Sequence, residues 1–290
     1  MRYWFILAEK ANYPVTILCK VMRVARSGFY AWTRRGKSKR QRQNEELIPM
    51  VKEIHAESDA TYGTRRIAGA LVAMGYDCGR AKARTLMRLA GVFVKRRRRF
   101  KITTDSLHKF PVSPNLLDRN FKVDKPNRFW VSDITYIWTN EGWLYLAVVI
   151  DLFNRQVVGW SMNKRITKEL VKGAYKMAYW SRRPKPGLIF HSDRGSQYCN
   201  TEFQKSLKTC GAISSMSKKG DCWDNAPAES FFASLKKDRI YYRHYKTREE
   251  AKRDIVAYLE MFYNSSRLHS SLGYVSPRQF EEAWLLANAV

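Results

Sequence analysis

The chain lacks the residues from which small extracellular scaffolds and zinc modules are built. Its five cysteines, Cys19, Cys78, Cys199, Cys210 and Cys222, are odd in number, scattered and free of any CxxC pair. That pattern excludes a disulfide framework and a zinc ribbon. The five histidines, His55, His108, His191, His244 and His269, form no closely spaced pair near two cysteines, so a zinc knuckle is not expected either. No apolar run reaches the about 18 residues of a membrane span, and the opening MRYWFILAEKANYP lacks the apolar core and cleavage site of a secretory signal. No membrane association and a cytoplasmic site of action are expected.

Negative charge is the other shortage. Against 26 acidic residues stand 53 Lys and Arg, a formal net charge of +27 on 290 residues. Solubility does not require so large an excess, and the natural complement is a polyanion such as DNA. An apolar fraction of 45% with 13% aromatics supports real cores, and the length suggests two or three domains.

Four regions are expected. Residues 1–43 read as an N-terminal helical DNA-binding segment and linker, with ILCKVMRVARSGFYAWTRR forming two helices about a turn at Ser27-Gly28. The charged stretch from Arg34 to Gln43 reads as a solvated linker or a helix entrance. Residues 44–100 carry three helical patterns, the second and third closed by glycines, as in a helix-turn-helix-like domain, with Gly79 to Ala90 as recognition helix. Arg80, Lys82, Arg84 and Arg88 on that helix, and Arg96, Arg97 and Arg98 in the basic arm after it, are candidate DNA contacts. Residues 101–126, with three prolines, read as a linker.

From Asn127 the pattern changes to aromatic and β-branched runs, FWVSDITYIW, WLYLAVVIDLF and NRQVVGWSM, which predict an antiparallel meander. Alternating helices and strands follow: helix from Thr167, strand to His191, helix from Thr201, strand to Met216, then helices from Asn225 and from Arg248. Residues 127–290 are therefore expected to form an α/β core, a ribonuclease-H-like mixed five-stranded sheet flanked by helices, behind the small all-α domain.

Three carboxylates carry the chemistry. Asp133 lies inside an aromatic strand, where burial is costly without a partner or a metal. Asp193 follows a strand end, where a functional crevice forms, though it also suits a turn before Arg194-Gly195. Glu229 begins a helix that Asp224 or Asn225 would cap, with Lys236 on the same face, but Asp221 and Asp224 compete with it as third carboxylate. Acidic groups on separate elements suit Mg²⁺ and metal-assisted attack on a phosphodiester.

These motifs, with YGTRRIAGAL and YNSSRLHSSLGYVSP, resemble the downstream-frame transposase protein of the bacterial insertion sequence three family, which has a retroviral-integrase-type DDE core. The resemblance selects Glu229 as the third carboxylate. It implies that Asp133, Asp193 and Glu229 bind two Mg²⁺, with Mn²⁺ as substitute, to nick insertion-sequence ends and transfer the 3′-hydroxyl to target DNA. Lys236 would contact phosphate near the terminal bases. Asn225, Arg267 and His269, together with His191, would position DNA. The resemblance also implies a nucleoid-associated homo-multimer on paired ends and an upstream-frame partner or fusion supplying a helix-turn-helix and a coiled coil, since sustained heptads are missing here. The rivals are a nuclease of the same fold without strand transfer and a non-catalytic DNA-binding regulator.

Overall fold

The computed structural model describes residues 1–95, 113–118, 121, 123–217 and 225–288. The basic arm with Arg96, Arg97 and Arg98, most of the expected linker, and the competing Asp221 and Asp224 lie outside them. No helix among the described residues is long and apolar enough to cross a membrane.

Three short helices, α1 (Arg2–Glu9), α2 (Val15–Val21) and α3 (Arg26–Arg34), share a small core of Ile6, Leu18, Cys19 and Phe29. The expected turn at Ser27-Gly28 is not there, because both residues are inside α3. The chain reverses at Met22 to Ala25, where Arg23 takes a positive φ of 52°. Gly28 answers to packing instead. A Cβ at that position would sit 2.6 Å from the Tyr3 hydroxyl, so a larger residue would have to push that side chain aside.

Of the two readings of the charged stretch the helix entrance holds, the chain being helical from Lys39. Ser38 caps α4 (Lys39–Glu57) by accepting from Gln41 N. With α5 (Thr64–Ala73) and α6 (Arg80–Ala90), α4 encloses Leu47, Val51, Ile67, Leu71, Ala83 and Leu86. Gly75 and Gly91, at φ of 90° and 69°, end α5 and α6 in the left-handed turns that glycine adopts without strain.

The core sheet has the order β3-β2-β1-β4-β5. Strands β1 (Phe129–Thr139), β2 (Gly142–Asp151) and β3 (Val157–Asn163) form the antiparallel meander, and β4 (Ile189–Ser192) and β5 (Ile213–Met216) add in parallel beside β1. This is the ribonuclease-H-like arrangement. Alternation along β1 sorts its side chains between two cores. Trp130 joins Val149, Phe190 and residues of α7 (Lys168–Arg182) and α9 (Thr201–Thr209) on one face. Val131 and Ile137 join Phe231, Leu235, Ile255 and Leu259 on the other. That second face is covered by α10 (Ala226–Asp238) and by α11 (Arg248–Ala257), which continues as a π-helical turn over Tyr258–Tyr263.

In the core two helices were not expected, α8 (Ser196–Cys199) and α12 (Pro277–Ala287), as α1 was not at the N-terminus. The second opens with a reciprocal capping box between Ser276 and Gln279 and ties the C-terminal segment to the sheet, with Glu281 accepting from Asn154 Nδ2 at 2.7 Å. Close packing of α7 on β3 depends on Gly159, where an added Cβ would lie 2.3 Å from Ala174 O.

Candidate active site

The parallel pairing of β1 with β4 sets Ser132 opposite Ser192. The next residue on each strand is an aspartate, so Asp133 and Asp193 emerge side by side where β4 ends and β1 runs on. Asp133 lies across from Val148 on β2 and is half-buried. Its Oδ1 accepts from Ile134 N at 2.7 Å. Burial, then the neighbouring Asp193 carboxylate, push Asp133 up to about 8. The Ile134 bond opposes this, Glu229 adds to it, and Lys236 relieves it slightly.

Asp193 does initiate a turn, with Oδ1 accepting from Gly195 N at 2.9 Å. A Cβ on Gly195 would crowd that same oxygen at 3.0 Å, so the glycine keeps the turn tight around the carboxylate. Glu229 stands largely exposed in the first turn of α10, and partial desolvation of its carboxyl raises its pKa. Among the described residues no three His, Cys, Asp or Glu side chains enclose a metal site. Asp133 and Asp193 are side by side, and the Glu229 carboxylate on α10 adds to the rise of the Asp133 pKa.

Asn225 does not cap α10 with its side chain. Its Nδ2 reaches across to Ser132 O at 3.3 Å, pinning the start of α10 to the strand that carries Asp133, while its Oδ1 is buried with no partner. Lys236 Nζ lies over the Tyr136 ring, 4.9 Å from its centroid. Burial lowers the Lys236 pKa and the Asp133 carboxylate opposes that shift.

His191 is packed in the sheet rather than directed at a ligand. Its ring nitrogens meet Ser215 Oγ at 2.9 Å and Ser217 Oγ at 3.2 Å. Arg267 and His269 are also buried, at 3% and 9% exposure. Arg267 Nε donates to Asp238 Oδ2 at 2.8 Å, and the His269 ring meets Tyr263 edge-on. Neither is displayed beside the carboxylates. On α6, Arg80, Arg84 and Arg88 are exposed at four-residue spacing, whereas Lys82 turns back to donate to Asp77 O.

Tyr198, on the unexpected α8, belongs to the site's surroundings. Its hydroxyl is buried 2.9 Å from Ser132 Oγ, and burial followed by Asp193 and Asp133 holds its pKa well above normal. Only the SQY of HSDRGSQY marked it, and a four-residue helix has too little periodicity to read.

Comparison with known proteins agrees with this architecture. Residues 123–222 and 229–285 match two families described as Integrase core domain, and residues 42–100 match an HTH-like domain. The transposase InsF for insertion sequence IS3A of Escherichia coli (strain K12) is 42% identical over 97% of this chain and 98% of its own length. The chain belongs to the IS3-family transposases. The insertion element IS600 uncharacterized 31 kDa protein of Shigella sonnei is 43% identical to the transposase over 92% of this chain and 98% of that one. The HTLV-2 integrase catalytic core domain in complex with magnesium covers 54% of the transposase chain and 97% of its own, at 18% identity and a TM-score of 0.42.

Proposed function

We propose that the transposase nicks insertion-sequence ends and uses the freed 3′-hydroxyl to attack a second phosphodiester, with Asp133, Asp193 and Glu229 as its catalytic residues. The observation that supports this reading is the β1–β4 register, which sets Asp133 beside Asp193, with Glu229 in the first turn of α10. The donor set fits a divalent cation, since all three groups are hard oxygen ligands and their mutual repulsion leaves Asp133 short of positive charge. A bound pair of Mg²⁺ or Mn²⁺ would supply charge and Lewis acidity for in-line displacement at phosphorus.

The rest of the site serves binding and orientation. Lys236, held by Tyr136, meets a phosphate near the terminal bases, and Asn225 fixes the first turn of α10 against β1. Arg80, Arg84 and Arg88 face the phosphates of the terminal repeat, with Lys82 closing the turn beneath them, and the basic arm of Arg96, Arg97 and Arg98 extends the contact. The segment 1–43, the helix-turn-helix-like domain 44–100 and the core 127–290, joined by 101–126, thus grip DNA in turn. The protein acts in the bacterial cytoplasm as a multimer on paired ends, with an upstream-frame partner or fusion supplying further end recognition.

Labelled insertion-sequence ends incubated with the protein and Mg²⁺, with and without the upstream-frame product, test this directly. Nicked and joined products are expected. Nicks without joining would establish the nuclease instead, and neither product in any preparation would leave a DNA-binding regulator.

A further inference from the structure

A cavity of about 310 Å³ lies behind α10, between that helix, the start of α5 and the segment after Tyr263. Arg66, Arg155 and Arg267 all line it. Of these three, Arg267 alone has an ion-pair partner among the described residues, Asp238. Arg66 Nε donates to Leu268 O at 2.9 Å and Arg155 Nη2 to Phe121 O at 3.0 Å, so both guanidiniums are held in place by neutral carbonyls. Three fixed positive groups thus have one direct ion pair among them, with Asp151 acting on Arg155 only at longer range, and all three are partly or fully withdrawn from water. Such crowding of like charge is unfavourable until an anion enters.

A second, independent observation points the same way. His269 also lines the cavity, is 9% exposed, and its Nε2 is buried without a hydrogen-bond partner. A buried polar atom left unmatched marks a missing partner. Hydroxyls of Ser230, Ser234 and Ser271 stand at the wall, which one face of α10 forms in part. Planar guanidiniums, a ring nitrogen and hydroxyls together match the oxygens of a phosphate.

We propose that this cavity binds a backbone phosphate of the DNA, held by Arg66, Arg155, Arg267 and His269; the DNA source rests on reading the protein as a transposase. The position supports DNA over a free anion. Ser230 is the neighbour of Glu229 on α10, so a strand passing the carboxylates reaches the cavity within a helical turn. Arg66 comes from the helix-turn-helix-like domain, whose docking on the core is secured by Tyr62 Oη accepting from Leu268 N at 2.8 Å and by Gly69 against the Tyr274 ring. One phosphate seated here would touch both domains and fix their spacing on the strand.

Calorimetric titration of the full chain with inorganic phosphate, at ionic strength held constant with chloride, reads the cavity without any DNA chemistry. Saturable binding is expected. Arg155→Gln and Ser271→Glu should each weaken it about tenfold or more, the worth of one charge-assisted hydrogen bond, while Arg155→Lys and Ser271→Lys retain it. Ser271 is exposed, so its pair of variants keeps the test decisive even if Arg155→Gln folds poorly. A second arm uses end duplexes carrying a single neutral methylphosphonate at each position in turn. One linkage should weaken wild-type binding and have a smaller effect on Arg155→Gln. No saturation by phosphate, or equal affinity in Ser271→Glu and Ser271→Lys, would overturn the site. Phosphate binding with no coupled linkage would overturn its assignment to DNA and leave free phosphate as ligand. Joining activity is measured separately, so loss of the transposase reading and loss of the cavity are told apart.

Discussion

Lys236 on α10 rests over the Tyr136 ring on β1, at 4.9 Å, three residues beyond Asp133 on the same strand. The ring holds a half-buried ammonium near the carboxylates without neutralising it, as an ion pair would. Lys236→Gln is expected to weaken binding of insertion-sequence ends and to reduce the salt dependence of affinity by about one counterion. Tyr136→Ala should weaken end binding while keeping the salt slope, because the charge stays and only its placement is lost. Fluorescence anisotropy at several salt concentrations separates the two.

The three carboxylates are expected to matter for chemistry and little for binding. Asp133→Asn, Asp193→Asn and Glu229→Gln should each lower joining by about a thousandfold or more, the loss of several kcal/mol of transition-state stabilisation. End binding by gel shift should persist. Chelation of divalent ions should stop joining by the wild-type protein, and added Mg²⁺ or Mn²⁺ should restore it. Retained joining by any one variant removes that residue from the site.

Asp238 and Arg267 form a buried ion pair at 2.8 Å, with the Tyr258 hydroxyl donating to the same carboxylate oxygen. Removing either charge leaves the other uncompensated in the core. Arg267→Met and Asp238→Leu should each cost about 3–5 kcal/mol in urea denaturation, and the double variant should cost less than either alone. A double variant as unstable as the sum of the singles would show that the pair has no coupling.

Asp151 gives the fold a pH dependence away from the active site. Burial raises its pKa from 3.8 to about 6, despite hydrogen bonds from Asn127 N and Phe153 N and the nearby Arg182. The folded state thus holds a proton that the unfolded chain releases, and stability falls as pH rises from about 4 to about 6. Asp151→Asn removes this slope. Relative to wild type it should gain on the order of 3 kcal/mol between pH 4 and pH 7, read from denaturation midpoints. A constant offset between the two proteins across that range would refute the assignment.

Several elements were legible because local pattern and tertiary role agree. The alternation in FWVSDITYIW specifies a strand with two buried faces, and the structure sorts Trp130 and Val131 into separate cores accordingly. The glycines after α5 and α6 marked their ends, since left-handed closure is a local requirement. Ser27-Gly28 misled because glycine there serves a contact with Tyr3 that is distant in sequence. The family resemblance gave Arg267 and His269 a role in positioning DNA. Their burial depends on Asp238 and Tyr263, partners that no spacing rule connects.

The sequence by itself determined the ingredients: a surplus of positive charge, a basic helical domain, an α/β core and three carboxylates on two strand-like segments and a helix. Local propensity and alternation are properties of neighbouring residues, so a linear reading reaches them. Only the tertiary structure decided which of these groups meet. Parallel pairing of Ser132 with Ser192 brings Asp133 beside Asp193, and Asn225 draws α10 toward them. Folding also withdrew Arg267 and His269 from the surface and gathered them with Arg66 and Arg155 around one cavity. Those meetings rest on strand register and helix docking, contacts between residues tens to hundreds of positions apart.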